Sequence, residues 1–378
     1  MRRLASPIFG ILIVEELPMK VVILAHENDN HTTPLKWGLE QAGHQVVCWG
    51  GLAWNEKQRA SASFDESDRL WLGAHPVERG DVIWVRRPQP AVHNPNVAES
   101  DKKFAEGEYR WFSYSLMYLL ETLPFRCINK YSASRFINNK SVQLVLARQC
   151  GMNVPATLMS NQPGAVRKFL EEYPGRTICK PFFPHVWQKS DGGLAATETF
   201  ELTADQLPGD EILTWAPAIY QEMVVKEYDV RMVLMGSNVY SYALHNPKKA
   251  LDWRQDAGQG LVEVEIIQTP AAVEKAVLEF ARRAGVCFGS LDFAIDNRGE
   301  WWFLEINEQG QFLWLDDFNP KVNMMQKFLA FITEPPNSKE TLEQREHLFP
   351  SLAQYRESGF SATVEPEVNV GVNFISTE

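Results

Sequence analysis

The sequence predicts a multidomain α/β protein, with a βαβ-type N-terminal domain followed by two units of short strands, hairpins and helices. Three observations carry this. The chain opens with an apolar, β-rich run, Lys20–Ala25 (KVVILA), then a helical stretch, Pro34–Ala42, closed by Gly43, then a second strand-like run, Gln45–Trp49 (QVVCW). In the C-terminal half, Gly236-Ser237-Asn238 and Asn297-Arg298-Gly299 each separate two apolar or alternating runs, as hairpin turns do. The length, 378 residues, suits two or three domains at about 150 residues each.

The remaining elements follow in chain order. Asp81–Arg87 (DVIWVRR) reads as a strand, and the polar stretches 53–80 and 88–107 as long surface loops. Glu108–Leu123 reads as a buried helix, because its apolar residues run nearly all the way round. A second unit opens near Asn129. It has a helix over Lys140–Cys150 ended by Gly151, strands at Val154–Leu158 and Thr177–Phe182, and a helix over Pro163–Tyr173 with proline in its first turn. Ser190-Asp191-Gly192-Gly193 marks a close-approach loop. A third unit starts near Ala218, with strands at Ala218–Val224, Val230–Met235, Val239–Leu244, Gly289–Asp296 and Glu300–Asn307, and a helix over Pro270–Ala284 stopped by Gly285. Val262, Val264 and Ile266 alternate with Glu263 and Glu265, as in a half-buried strand. The breaks divide the chain into an extension (1–18), a first domain (19–128), a central unit (129–217), a third unit (218–334) and a polar, Pro-interrupted appendage (335–378).

Composition narrows the function. Hydrophobic residues make up 45% and charged residues 22%, which is globular rather than disordered. A formal net charge of −11 argues against a broad nucleic-acid-binding surface while allowing a local basic pocket. Cys48, Cys127, Cys150, Cys179 and Cys287 are scattered and odd in number, so neither a zinc site nor a disulfide framework is expected, and a reducing cytoplasm suits them. The apolar run Ile8–Val14 is too short for a membrane span, and no other stretch approaches one.

The chemistry concentrates in the last hairpin. Strand periodicity puts Glu305 and Asn307 on one face, with Leu304 and Ile306 on the other, and points Asp292 away from Leu291 and Phe293. Asp292, Glu305 and Asn307 can thus converge as oxygen donors suited to Mg2+ or Mn2+. Lys140 and Lys180 lie at a helix start and a strand end, where ammonium groups suit a polyphosphate; taken singly, each is more often a surface lysine, and the signal gains weight only beside the metal site. Asp229 and Arg231 share a strand face, either as an ion pair or as an arginine set against developing phosphoryl charge. Arg254 follows Trp253, which also fits a stacked surface arginine.

The order Lys140, Lys180-Pro181, Gln221-Glu222, Asp229-x-Arg231, Asp292, Glu305-x-Asn307 resembles the ATP-grasp superfamily over roughly residues 129–330. Asn28-Asp29-Asn30-His31-Thr32, Trp84-Val85-Arg86-Arg87 and Ile128–Leu158 resemble the pre-ATP-grasp and linker segments of the microviridin-maturation (graspetide) peptide ligases. Those enzymes join an acidic side chain of a ribosomal precursor peptide to a Ser/Thr hydroxyl or Lys amine of the same peptide. The stretch Glu308–Phe312 departs from their pattern.

The resemblance implies an α+β ATP-grasp fold, in which a pre-ATP-grasp domain precedes two subdomains that sandwich ATP. It implies that Lys140 and Lys180 bind the phosphates and that the Ser190–Gly193 loop closes over them. Gln221, Glu222, Met223, Val224 and Asp229 would contact the nucleotide, with Glu222 to Val224 along the adenine. Arg231 and Arg254 would steady the γ-phosphate or an acyl phosphate, and Asp292, Glu305 and Asn307 would hold two Mg2+. The implied activity is an ATP-dependent carboxylate–amine or carboxylate–hydroxyl ligation of a precursor peptide, in the cytoplasm, with a homodimer as the default assembly. A glutathione-synthetase-like or tail-adding ligase for a small amine is the alternative; a non-catalytic nucleotide-binding regulator ranks below both. A chain of residues 19–334 is expected to keep ATP binding if the two ends are peripheral.

Overall fold

The computed structural model describes residues 18–25, 29–52, 59–86, 94–182, 186–188, 194–196, 199–248, 250–335 and 340–360. Strand β1 (Lys20–Leu24) is apolar after its lysine and buried on both sides, as the centre of a parallel sheet requires. Helix α1 (Thr32–Gln41) returns the chain to β2 (Gln45–Cys48). Val21 and Ile23 enter one core and Val22 and Leu24 another, which is the period of two made visible.

A small antiparallel sheet, β3 (Ala62–Phe64), β4 (Leu70–Leu72) and β5 (His75–Val77), follows. Leu70, Leu72 and Val77 are fully buried in the same core as Trp49. This corrects the expectation of a loop over 53–80: polar neighbours hid the two-residue step between Leu70 and Leu72. Strand β6 (Val82–Val85), helix α2 (Lys102–Thr122) and strand β7 (Arg126–Ile128) complete the first unit, whose parallel sheet runs β2-β1-β6-β7. Helix α2 buries only Leu116, Met117 and Leu120 and leaves Phe104 and Trp111 about 70% and 67% exposed, so the expectation of a buried helix is also corrected. Its aromatic residues encircle the helix, and the sheet covers one side only.

The central unit contains α3 (Tyr131–Ile137), α4 (Lys140–Gln149), β8 (Thr157–Ser160), α5 (Pro163–Glu172), β9 (Thr177–Lys180), a hairpin of β10 (Val186–Gln188) and β11 (Leu194–Ala196), β12 (Phe200–Glu201), α6 (Asp210–Leu213) and β13 (Ala218–Glu222). Its antiparallel sheet runs β12-β9-β13-β8. Asn139 caps α4 by accepting from the backbone N–H groups of Ser141 and Val142, which fixes where that helix begins and so where Lys140 stands.

The third unit comprises β14 (Lys226–Met235), β15 (Asn238–His245), α7 (Arg254–Ala257), β16 (Glu263–Ile267), α8 (Ala271–Ala284), β17 (Phe288–Asp296) and β18 (Trp301–Asn307), with sheet order β16-β15-β14-β17-β18. Val230, Met232 and Leu234 pack with Phe280 of α8 on one face, while Val233 and Met235 join the main core with Phe328 and Phe331 on the other. Asp229 and Arg231 continue that second face beyond the core.

Helices α9 (Trp314–Phe318), α10 (Met324–Ile332), α11 (Leu342–Arg345) and α12 (Leu352–Glu357) follow. Reading 335–378 as a peripheral appendage is corrected for residues 340–360. Leu342, Phe349, Leu352 and Tyr355 are buried in the main core, and the Tyr355 ring meets Trp37 of α1 edge-on at 5.5 Å. The fully buried Arg345 donates from Nη1 to Ala330 O at 2.6 Å and from Nη2 to Thr333 O at 3.2 Å, closing the end of α10. Apart from Arg345, the polar residues that suggested an appendage, such as Glu343, Gln344, Gln354 and Arg356, occupy the exposed faces of these short helices.

None of the five cysteines forms a disulfide, and burial pushes the thiols of Cys127, Cys179 and Cys287 up to about 11. Among the described residues, no helix is long and apolar enough to cross a membrane.

Candidate functional site

Register builds the site. Antiparallel pairing sets Arg231 of β14 opposite Asp292 of β17, and Asp292 opposite Glu305 of β18, so the three side chains form one row across adjacent strands. Beyond this row the pairing slips: Phe293 faces Phe303, and Leu304 is the extra residue of a bulge. Strict alternation would have sent Leu304 away from Glu305. The bulge instead lets Phe303 enter the core beside Phe293, while Leu304 and Glu305 both line one cleft.

The row is electrostatically linked. Arg231 Nη1 lies 2.7 Å from Asp292 Oδ1. Arg254 Nη2 lies 3.5 Å from Asp292 Oδ2 and 3.8 Å from Glu305 Oε1, and its Nη1 is 3.1 Å from Asp252 Oδ2. Burial works against charging Arg254, but the carboxylates of Asp292, Asp252 and Glu305 outweigh it and raise the guanidinium above its ordinary value. The Arg254 guanidinium also sits 5.5 Å from the Trp253 ring, so it makes both the stacked contact and the acidic one. Asp229 is held by Lys226, at 2.7 and 2.9 Å, and burial raises its carboxyl to about 6 against that lysine's pull.

The cleft lies between the central and third sheets. Lys140, Thr157, Lys180, Gln221, Leu304 and Glu305 are among its lining. Lys140 Nζ donates to Pro181 O at 3.2 Å, which brings the two lysines to one edge. Burial lowers the Lys180 ammonium to about 8, with Lys140 adding to the effect and Glu305 opposing it. Gln221 donates to Thr157 Oγ1 at 2.9 Å, while its buried Oε1 has no hydrogen-bond partner among the described residues.

Four sequence-predicted residues (Lys140, Lys180, Gln221 and Glu305) therefore line the cleft, and Arg231, Arg254 and Asp292 join it through the ion-paired row. Glu222, Met223 and Val224 are not among the lining residues: the Glu222 carboxylate pairs with Arg176 at 3.0 Å, and Met223 N donates to Arg176 O at 2.7 Å. Asn307, at the exposed end of β18, has its Oδ1 taken by the backbone N–H groups of Gln309 and Gly310 at 3.1 and 3.0 Å. The Ser190–Gly193 loop, Asn28 and Arg87 lie outside the described residues. Sequence reading passed over Lys226, three residues before Asp229, and Thr157, whose cleft position depends on the β8–β13 pairing.

The donor chemistry fits the expected ligands. Asp292 and Glu305 are in-register oxygen donors on neighbouring strands, hard enough for Mg2+ or Mn2+. Their charge is balanced here by Arg231 and Arg254. The two lysines suit phosphate, and the unpartnered Gln221 Oε1 suits an N–H donor.

A pH effect follows from Lys180. The ammonium is protonated below about 8, so polyphosphate affinity should be full at pH 7 and weaken by up to about tenfold by pH 9. Calorimetric titration with ADP should show this slope, and Lys180→Gln should flatten it. In the unliganded protein the sign reverses. The unfolded chain binds the proton more tightly, so stability rises with pH from about 8 to the unfolded lysine value near ~10.4.

No protein-family model matches the chain, and no curated protein matches it. Solved structures do. Macrocyclase MdnC from Microcystis aeruginosa MRC, bound with precursor peptide MdnA, aligns with a TM-score of 0.70 at 21% identity, over 84% of this chain and 100% of that one. A RiPP-associated ATP-grasp ligase from Chryseobacterium gregarium, in complex with ADP and a leader and core peptide, gives 0.74 at 22% identity, over 84% and 98%. ATP-grasp ligase PsnB, complexed with a phosphomimetic variant of its minimal precursor, Mg and ADP, gives 0.66 at 22%, over 83% and 97%.

Proposed function

We propose that this chain, which has the ATP-grasp fold, is an ATP-dependent ligase that forms side-chain esters or amides within a ribosomally made precursor peptide. The observation that carries the reading is the in-register row Arg231–Asp292–Glu305 beside a cleft lined by Lys140 and Lys180. It places oxygen donors, guanidinium groups and ammonium groups together, as phosphoryl transfer to a carboxylate demands. The neighbouring structures, whose proteins hold ADP, Mg and precursor peptides, support the same substrates here.

In this reading an acidic side chain of the peptide takes the γ-phosphoryl group, and ADP leaves. A hydroxyl or amine of the same peptide then attacks the acyl phosphate and expels phosphate, so each linkage removes one water. Lys140 and Lys180 hold the nucleotide phosphates. Arg231 and Arg254 steady the charge that develops on the transferring group. Asp292 and Glu305 hold the metal, with Asn307 at the strand end; Mg2+ or Mn2+ bound there supplies Lewis-acid polarisation of the phosphate oxygens. Five cysteines outside any disulfide suit the cytoplasm, where ATP and newly made peptide meet.

The test uses a candidate precursor peptide, with a leader and a Thr/Lys/Asp/Glu-rich core, sought in an open reading frame beside the gene. Incubation with enzyme, ATP and Mg2+ should lower the peptide mass by one water per linkage, with matching ADP release. An unchanged peptide mass while a free amino acid is consumed would establish the small-amine ligase instead.

A further inference from the structure

We propose that Arg86, from the N-terminal parallel sheet, is a positioning residue for the metal-ligand end of the site and acts through the loop at 308–313. The proposal rests on the ligase reading for its chemistry, and on hydrogen bonds alone for its geometry. Past Asn307 the chain leaves β18, and every residue from 308 to 313 is gripped by a side chain from another part of the molecule. Asn129 Nδ2 donates to Glu308 O at 3.2 Å, and Asn138 Nδ2 donates to Glu308 Oε1 at 3.0 Å. Arg86 Nη1 donates to Gln309 O at 2.6 Å and to Gly310 O at 3.0 Å. Arg231 Nη2 donates to Gln311 O at 2.9 Å, and His31 Nε2 accepts from the backbone N–H groups of Phe312 and Leu313 at 3.0 and 3.3 Å.

Arg86 holds the centre of this loop. It is about 1% exposed and is itself fixed by Asp29, whose Oδ1 lies 3.2 Å from Nε. Asp29 alone would balance its charge, yet the guanidinium also spans two consecutive carbonyls. The N–H groups of the same two residues, Gln309 and Gly310, donate to Asn307 Oδ1. The peptide units that orient the Asn307 amide are therefore the ones Arg86 holds. One residue further on, Gln311 O receives the guanidinium that grips Asp292. The loop has little room to shift: Gly310 has φ +42°, and a Cβ there would lie 2.6 Å from Ser290 Oγ. An arginine 223 residues from Gln309 in sequence thus sets both Asn307 and, through Arg231, Asp292.

Arg86→Lys tests this, because lysine keeps the charge, but its single ammonium cannot hold the two carbonyls that Nη1 holds and also reach Asp29 and His31, which Nε and Nη2 contact at 3.2 Å each. The folded variant should bind ADP without Mg2+ as wild type does. The MgCl2 concentration giving half-maximal tightening of ADP should rise about tenfold, and kcat should fall by about ten- to a hundredfold with KM for ATP little changed, as misplacement of a reacting group predicts. The paired change Asp29→Asn with Arg86→Gln leaves no bare buried charge and should show the same shifts. Wild-type Mg2+ dependence and kcat in a folded variant would overturn the proposal. So would failure of both variants to fold, since Arg86 would then be purely structural. A wild-type enzyme that binds ADP in a Mg2+-dependent way but makes no peptide product would overturn the ligase reading, while leaving the Mg2+ midpoint as the measure of Arg86.

Discussion

Asp292→Asn is expected to abolish turnover, with ADP release in the presence of peptide falling about a thousandfold or more, the scale for losing a charged group that stabilises a phosphoryl transition state. Asp292 is the shared element of the row: it faces Glu305 in register, pairs with Arg231 at 2.7 Å, and lies 3.5 Å from Arg254. Asparagine keeps the shape and one oxygen acceptor, so the fold should survive. One negative charge disappears beside two guanidinium groups, and stability should drop by about 1–3 kcal/mol. The Lys140–Lys180 edge is untouched, so Mg2+-free ADP binding should stay near wild type. A steady-state ADP-release assay paired with calorimetry separates the two effects. Retention of a tenth or more of wild-type turnover would show that the metal and the transferring phosphoryl group lie elsewhere.

A chain ending at residue 334 should lose cooperative folding. The helices at 342–345 and 352–357 look dispensable by composition, but they insert Leu342, Phe349, Leu352 and Tyr355 into the main core. Burying such side chains contributes about 1.5–3 kcal/mol each, so the gross loss rivals the whole stability of an ordinary domain. Truncation also removes the guanidinium of Arg345 from Ala330 O and Thr333 O, leaving carbonyls at the end of α10 without that partner. Comparing residues 19–334 with 19–360 by thermal denaturation should show a midpoint at least about 10 °C lower, or no cooperative transition, in the shorter chain. Equal midpoints would restore the tail to the status of an appendage. The contrast is informative because the outer faces of these helices carry the polar residues that a composition scan sees, and their inner faces carry the contacts that it does not.

Much of the fold was legible in local pattern. The apolar Lys20–Leu24 strand, the two hairpins and the helix stopped by Gly285 follow from periods of 2 and 3.6 and from turn residues that act within a few positions. The α+β ATP-grasp architecture expected from the ordered motifs agrees with the solved structures that superpose on this chain. Local pattern misled where polar residues framed a short strand, as at Leu70–Leu72, and where an aromatic-rich helix proved to be covered on one side only.

By itself, the sequence determined which ionisable residues exist and which strand faces they tend towards, because pleat and hairpin geometry are local. Asp292, Glu305, Lys140 and Lys180 were accessible in this way. Tertiary structure alone decided which of them meet. The bulge at Leu304 depends on how β18 pairs with β17, the Arg254 contact with Asp292 and Glu305 depends on where the segment carrying α7 folds back, and the Arg86 grip joins residues 223 positions apart. Such contacts depend on the closure of long loops and on mutual packing, and neither leaves a periodic trace in the order of residues.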